Sequence, residues 1–255
     1  VMKAKREELE RRAPGPAARY GGRRRDFLRA ITHVNRLSLI AEVKKASPSA
    51  GVLKRHVDAG AMARMYEKCG ADAVSVVTDR RFFMGELGFV GQAKDACALP
   101  VLRKDFIIDV RQLHESAEAG ADAVLLIAAL LEPEDLKLFV NIALELNMEP
   151  LVEVHGLQDL KKALKSGARA LGVNNRNLRT FKVDLNTTSR LARKIPDDRA
   201  LVSESGIKNP EDMRRARAMG ADAVLVGGVF MKSKNAEKLV TTFVREGAGM
   251  KDGKS

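Results

Sequence analysis

The sequence predicts an α/β protein built as a single (β/α)8 barrel of the TIM type with an N-terminal helical extension, and three observations carry that prediction. Short apolar runs near residues 39–44, 73–78, 99–104, 123–129, 149–154, 170–174, 200–204 and 223–227 alternate with helical stretches, which makes eight strands. The string Gly-Ala-Asp-Ala-Val begins at Gly70, Gly120 and Gly220, with a variant, Gly-Ala-Arg-Ala-Leu, at Gly167, so the spacings are 50, 47 and 53 residues. A second set interleaves with it: LIAEV at 39, VLRKD at 101, LVEVH at 151 and LVSES at 201. Four repeats of two strand–helix units close naturally into eight, and continuous apolar strands imply cover on both faces. A doubly wound open sheet also alternates strands with helices, but it supplies no reason for a fourfold period.

The elements follow in order. Residues 1–13 form a polar amphipathic pattern that ends at the breaker Pro14-Gly15-Pro16, and Gly21-Gly22 punctuates the chain again. Asp26 to His33 predicts a second short helix leading into the first strand. Among the helices between strands, Asp58–Lys68, Glu132–Leu146, Leu157–Leu164 and Pro210–Met219 are amphipathic. Pro133 stands at a first turn, and Asn209-Pro210-Glu211-Asp212 offers a cap, a first-turn proline and acids against the helix dipole. The expected organisation is an extension over 1–36, a barrel over 37–246 and a flexible tail over 247–255.

Composition narrows the function classes. Hydrophobic content of 45% with 31% charged residues suits a globular chain, and no apolar run reaches the roughly 20 residues that span a bilayer. The charged opening is unlike a signal peptide, and Cys69 and Cys97 lack a C-x-x-C partner. A cytoplasmic protein without disulfides is expected, free of membrane association and acting as a monomer or weak homo-oligomer. Of the net charge of +12, residues 1–36 carry +7, from eleven Lys or Arg against four acids. With little aromatic content to stack bases, this arm predicts no nucleic-acid partner. It fits a solvated helix face or a positive field that draws in an anionic small molecule.

In a barrel of this kind the chemistry sits at the C-terminal strand ends. Alternation points Glu42 and Lys44 inward from the first strand, and Lys104 and Phe106 inward from the third. The fifth contributes Glu153 and His155, the sixth Asn174 and Arg176, and the seventh Glu204. Such a set is either a structural ion-pair network or an acid–base centre. A lysine among carboxylates stays protonated and can donate a proton, while a shielded carboxylate can serve as base. Ser203-Glu204-Ser205-Gly206-Ile207 and Val226-Gly227-Gly228 occupy the two loops that grip phosphate in this fold, although small residues there also serve packing. Phe82, Phe83 and Phe106 suit a core or the wall of an aromatic pocket. His33, His56, His114 and His155 show no metal-ligand spacing, and no nucleotide motif is present, so no metal or cofactor is expected. For His155 a supporting or surface role is expected.

These motifs resemble the indole-3-glycerol phosphate synthase family of tryptophan biosynthesis. The resemblance rests on IAEVKKASPS at 40–49, PVLRKDFIID at 100–109, GADAVLLI at 120–127 and LVEVH at 151–155. It continues through GVNNRNLRTFKVDL at 172–185, VSESGI at 202–207 and ADAVLVG at 221–227. It implies a carboxy-lyase that closes the indole ring of 1-(2-carboxyphenylamino)-1-deoxyribulose 5-phosphate with loss of carbon dioxide and water. It implies Lys104 as general acid and Glu153 as base in the dehydration. Lys44 would bind the substrate carboxylate, Glu42 hold the lysines' charge and Asn174 orient the intermediate. By the same resemblance Glu204, Arg176, Ser47 and Pro48 line the pocket, and Phe83, Phe106, Leu125 and Leu178 wall the anthranilate ring. Phosphate would fall to Ser205, Gly206, Gly227 and Gly228, with Lys44 nearby. Gly228 stands where many members carry a side chain, so that cup would rely on backbone groups. A phosphosugar isomerase and an idle anion- or nucleic-acid-binding barrel are the competing expectations.

Overall fold

The computed structural model describes residues 2–11, 20–178 and 180–249. Eight parallel strands close a barrel in which each pairs with its neighbours in sequence and the first also pairs with the last. They are β1 (Ser38–Val43), β2 (Ala73–Val77), β3 (Val101–Lys104), β4 (Ala123–Ile127), β5 (Glu149–Val154), β6 (Ala170–Asn174), β7 (Ala200–Glu204) and β8 (Ala223–Val226). Outward strand residues such as Leu39, Val74, Val124 and Val152 pack with the helices in one large core. Inward ones such as Ile40, Leu102, Leu125, Leu151 and Val202 fill the barrel as a second cluster.

The repeated string has a mechanical reason. Gly70, Gly120, Gly167 and Gly220 all take positive φ, between 86° and 90°, where each helix turns back toward its strand. The aspartate two residues on then binds the preceding odd strand. Asp72 accepts the Leu39 N–H at 2.9 Å, Asp122 the Val101 N–H at 2.9 Å and Asp222 the Leu201 N–H at 2.7 Å. In the variant copy Arg169 stands in that place and pairs with Glu149 instead. The second alanine of the string opens β2, β4 and β8, and alanine also opens β6 and β7. Small residues at these five starts leave space at the barrel floor. Phe27 and Ile31, from the short helix Phe27–Ile31 capped by Asp26, pack with those alanines and are fully buried.

Helices fall where caps and periodicity placed them: Ala59–Lys68, Pro133–Glu145, Leu157–Lys165 and Pro210–Ala218. Asn209 caps the last of these by accepting the Asp212 N–H at 2.9 Å. The loop after β1 contains a small hairpin, Ala46–Ser47 against Gly51–Val52, with Pro48 exposed at its turn. The leading helix spans Met2–Arg11, and residues 12–19, with the Pro14-Gly15-Pro16 breaker, lie outside the described residues. One boundary differs from expectation. Gly247, assigned above to the tail, ends the helix Ala236–Gly247, is buried, and accepts the Leu37 N–H at 2.9 Å. No helix among the described residues is long and apolar enough to cross a membrane.

Part of the basic leader is bound into the fold. Arg24 donates to the carbonyls of Ala117 and Ala121, and Arg25 to those of Lys94 and Leu99. Arg36 pairs with Asp72, and Lys5 is buried against acids near the barrel mouth. Those four cations saturate acceptors of the chain itself.

Candidate active site

Five strand ends bring the charged residues into one cavity mouth. Lys104, the last residue of β3, donates to Glu204 Oε2 from β7, and its Nζ lies 3.5 Å from Glu153 Oε2 on β5. From β1, Lys44 donates to Glu42 Oε1, and the Glu42 charge also acts on Lys104. Asn174 ends β6 in register with Glu204, donates to Glu153, and accepts the Arg176 N–H at 2.9 Å. Two glycines make room for the acids. A Cβ on Gly172 would stand 2.2 Å from Glu204 Oε1, and one on Gly227 would stand 2.4 Å from Glu42 Oε1. Among the described residues no group of His, Cys, Asp and Glu is arranged to hold a metal ion.

The two carboxylates that flank Lys104 are driven apart electrically. Burial works against the Lys104 ammonium, but Glu204, Glu153 and Glu42 outweigh it and hold its pKa well above the ordinary lysine value. Burial also opposes the Glu153 charge, yet Lys104, His155 and Asn174 together hold that carboxyl down to about 2. Burial pushes Glu204 up to about 7; repulsion from Glu153 and Glu42 adds to this and Lys104 offsets part of it. Glu153 is thus the stronger acid of the two: the Lys104 ammonium faces it at 3.5 Å and His155 Nε2 sits 3.2 Å from its Oε1. His155 is itself buried, which disfavours its charge, but Asp159 and Glu153 overcome that and raise it to about 9. Its place is therefore behind Glu153, as a cation at neutral pH.

The rim is mostly apolar. Phe106 lies 6.1 Å from both Phe82 and Phe83, ring centre to ring centre, and joins the inner cluster with Leu125 and Leu130. Leu125 is deep in the barrel, whereas Leu178 is exposed on the loop after β6 beside exposed Phe181 and Val183. Arg176 is half-buried on the same loop, and its guanidinium donates to the Phe181 carbonyl at 3.2 Å. Ser47 and Pro48 sit on the hairpin that packs against the short helix Arg80–Phe83.

After β7, Ser205 and Gly206 both take positive φ, 62° and 96°. For a serine that conformation costs energy and persists only where the surroundings dictate it. They do so through Asn175, which is buried and donates to Ser203 Oγ and to the carbonyls of Glu204 and Ser205 at 3.0–3.1 Å. At Gly206 a side chain would also strike Val183 and Leu185. Gly228 opens the short helix Gly228–Lys232, and an added Cβ there meets nothing within 4 Å. A side chain would fit at that position, so crowding does not require its glycine.

The family model described as indole-3-glycerol phosphate synthase matches residues 2–243. The chain belongs to that family. A synthase of this name from Acetivibrio thermocellus is 48% identical over 218 residues, covering 86% of this chain and 84% of the relative. Another, from Geobacillus thermodenitrificans, is 44% identical over 252 residues, covering 98% and 97%. Among solved structures, a thiamine phosphate pyrophosphorylase from Pyrococcus furiosus superposes with a TM-score of 0.63 at 18% identity, covering 85% of this chain and 98% of that one, which speaks to the fold alone. The synthase motifs thus coincide with the mouth: Glu42, Lys44, Lys104, Glu153, Asn174 and Glu204 come together, with Phe83 and Phe106 beside them. Sequence reasoning missed Asn175, Gly172 and Leu130. The adjacent asparagines of Asn174-Asn175 were the available signal, since alternation must send one inward and the other toward the helix layer.

Proposed function

We propose that this chain closes the indole ring of 1-(2-carboxyphenylamino)-1-deoxyribulose 5-phosphate, releasing carbon dioxide and water. The observation that supports it most is Lys104, held protonated between Glu204 and Glu153 at the centre of the mouth. In this reading Lys104 gives its proton to the ketone oxygen as the ring carbon bearing the carboxylate attacks the carbonyl carbon. Lys44, paired only with Glu42 among the described residues, turns to the substrate carboxylate. Loss of carbon dioxide restores the aromatic ring. Elimination of the new hydroxyl as water then needs one proton delivered to oxygen and one removed from the ring side. Glu153, kept ionised by Lys104 and His155, is the base for the second transfer, and Asn174 orients the intermediate beside it. Phe83, Phe106, Leu125 and Leu178 supply apolar wall for the aromatic half, and Glu204, Arg176, Ser47 and Pro48 complete the pocket. Ser205, Gly206, Gly227 and Gly228 receive the phosphate through backbone N–H groups, with Lys44 adding charge.

The same reading has the chain act as a monomer or weak homo-oligomer. Two unpaired thiols, Cys69 and Cys97, suit a reducing cytoplasm. The division we propose is an extension over 1–36, a barrel over 37–247, which takes in the helix-ending Gly247, and a tail beyond. The test is direct: purified protein mixed with the carboxyphenylamino sugar phosphate should develop indole fluorescence. No signal from folded protein would sink the reading. Turnover of phosphoribosylanthranilate instead would assign the site to sugar-phosphate isomerisation.

A further inference from the structure

We propose that Lys5 is a positioning residue which, from the leading helix, holds the aromatic wall of Phe83 and Phe106 in place. This rests on the ring-closing reading above. Lys5 is 3% exposed although it lies on a polar helix, and its Nζ stands 2.8 Å from Asp105 Oδ1, 3.4 Å from Asp79 Oδ2 and 3.1 Å from Glu8 Oε2. Each of the two buried acids carries part of the wall. Asp79 caps the helix Arg80–Phe83 by accepting the Phe82 N–H at 2.7 Å. Asp105 accepts the Phe106 N–H at 2.8 Å and is further held by the Thr78 hydroxyl at 2.6 Å and by Arg103 at 3.2 Å. Phe83 and Phe106 then meet at 6.1 Å across the gap between β2 and β3.

Without the ammonium, two carboxylates would face each other in a buried place. Burial already pushes the Asp79 carboxyl above its usual range, and Asp105 adds to the push. The simplest relief is for the loops after β2 and β3 to separate, which pulls the two rings apart. Lys104, one residue before Asp105, points the other way along its strand and keeps its own pairs with Glu204 and Glu153. The effect should therefore fall on binding of the aromatic half and spare proton transfer.

The experiment uses the full chain with Lys5→Met and Lys5→Arg. For Lys5→Met, KM for the carboxyphenylamino sugar phosphate should rise about tenfold, the scale of a lost aromatic contact, while kcat stays near parental. Inhibition by a ring-free sugar phosphate such as ribulose 5-phosphate should be unchanged, and Lys5→Arg should restore KM. If Lys5→Met does not fold, Asp79→Asn carries the test, since its amide oxygen still caps the helix while the tie to Lys5 weakens; the same split, smaller, is expected. Unchanged KM in a folded variant overturns the proposal, as does a fall in kcat at constant KM or failure of arginine to rescue. Turnover by the parental chain separates this outcome from failure of the ring-closing reading itself.

Discussion

Lys104 has the clearest single role, because three acids sustain its charge in a place where burial opposes it. Lys104→Ala should lower kcat by at least ~100-fold, the scale of general acid catalysis, in a protein that still folds. Steady-state kinetics decide this, and near-parental turnover would remove the lysine from the chemistry. Glu204 offers a pH test. Its carboxyl ionises near pH 7, whereas Glu153 is already ionised far below that. Above about 7 the mouth gains a negative charge, which repels a substrate carrying a carboxylate and a phosphate. KM should thus rise as pH climbs through that range. In Glu204→Gln, neutral at every pH, that part of the rise should vanish; an identical KM profile would contradict the assignment. Residue types at these positions were legible from alternation along strands. The ordering of the two acid strengths was not, because it depends on Lys104 reaching both carboxylates from a different strand and on His155 turning toward Glu153.

At the scale of elements, two contacts decide how the barrel is closed. The helix Phe27–Ile31 plugs the floor left open by five alanines. Phe27→Ala should cost about 3–5 kcal/mol of unfolding free energy, the range for emptying a large buried ring. Activity at saturating substrate should persist, since the floor lies at the opposite end from the mouth; a stability change near zero in urea melts would show that the plug is dispensable. Asp122 joins β3 to the turn before β4 and is the counter-charge of Lys94, both fully buried. Asp122→Ala leaves that ammonium unpaired, and about 3–5 kcal/mol of destabilisation is expected by the same measurement. The Gly-Ala-Asp-Ala-Val repeat announced the strands and their glycine turns. Its aspartate became intelligible only once each was seen to accept an N–H from the strand before it, a partner 21 to 33 positions away.

For the whole molecule, the open question from composition was the basic leader. Lys5, Arg24, Arg25 and Arg36 are turned inward onto acids and carbonyls, which leaves less of the +7 for an outside polyanion. Duplex DNA should therefore bind weakly and without the steep salt slope of a multi-phosphate interface, as a fluorescence titration over a range of salt would read. A slope of many ions would restore the nucleic-acid alternative.

By itself the sequence determined the barrel, through periodicity, and the residue types of the mouth, through alternation and the family motifs, because both are local properties of a strand and its turn. The tertiary structure alone decided the electrical identity of each acid, the backbone strain at Ser205 and the inward burial of Lys5. Those depend on groups far apart in the chain meeting where water is excluded, and there a neighbour a few ångströms away outweighs any intrinsic preference of the residue.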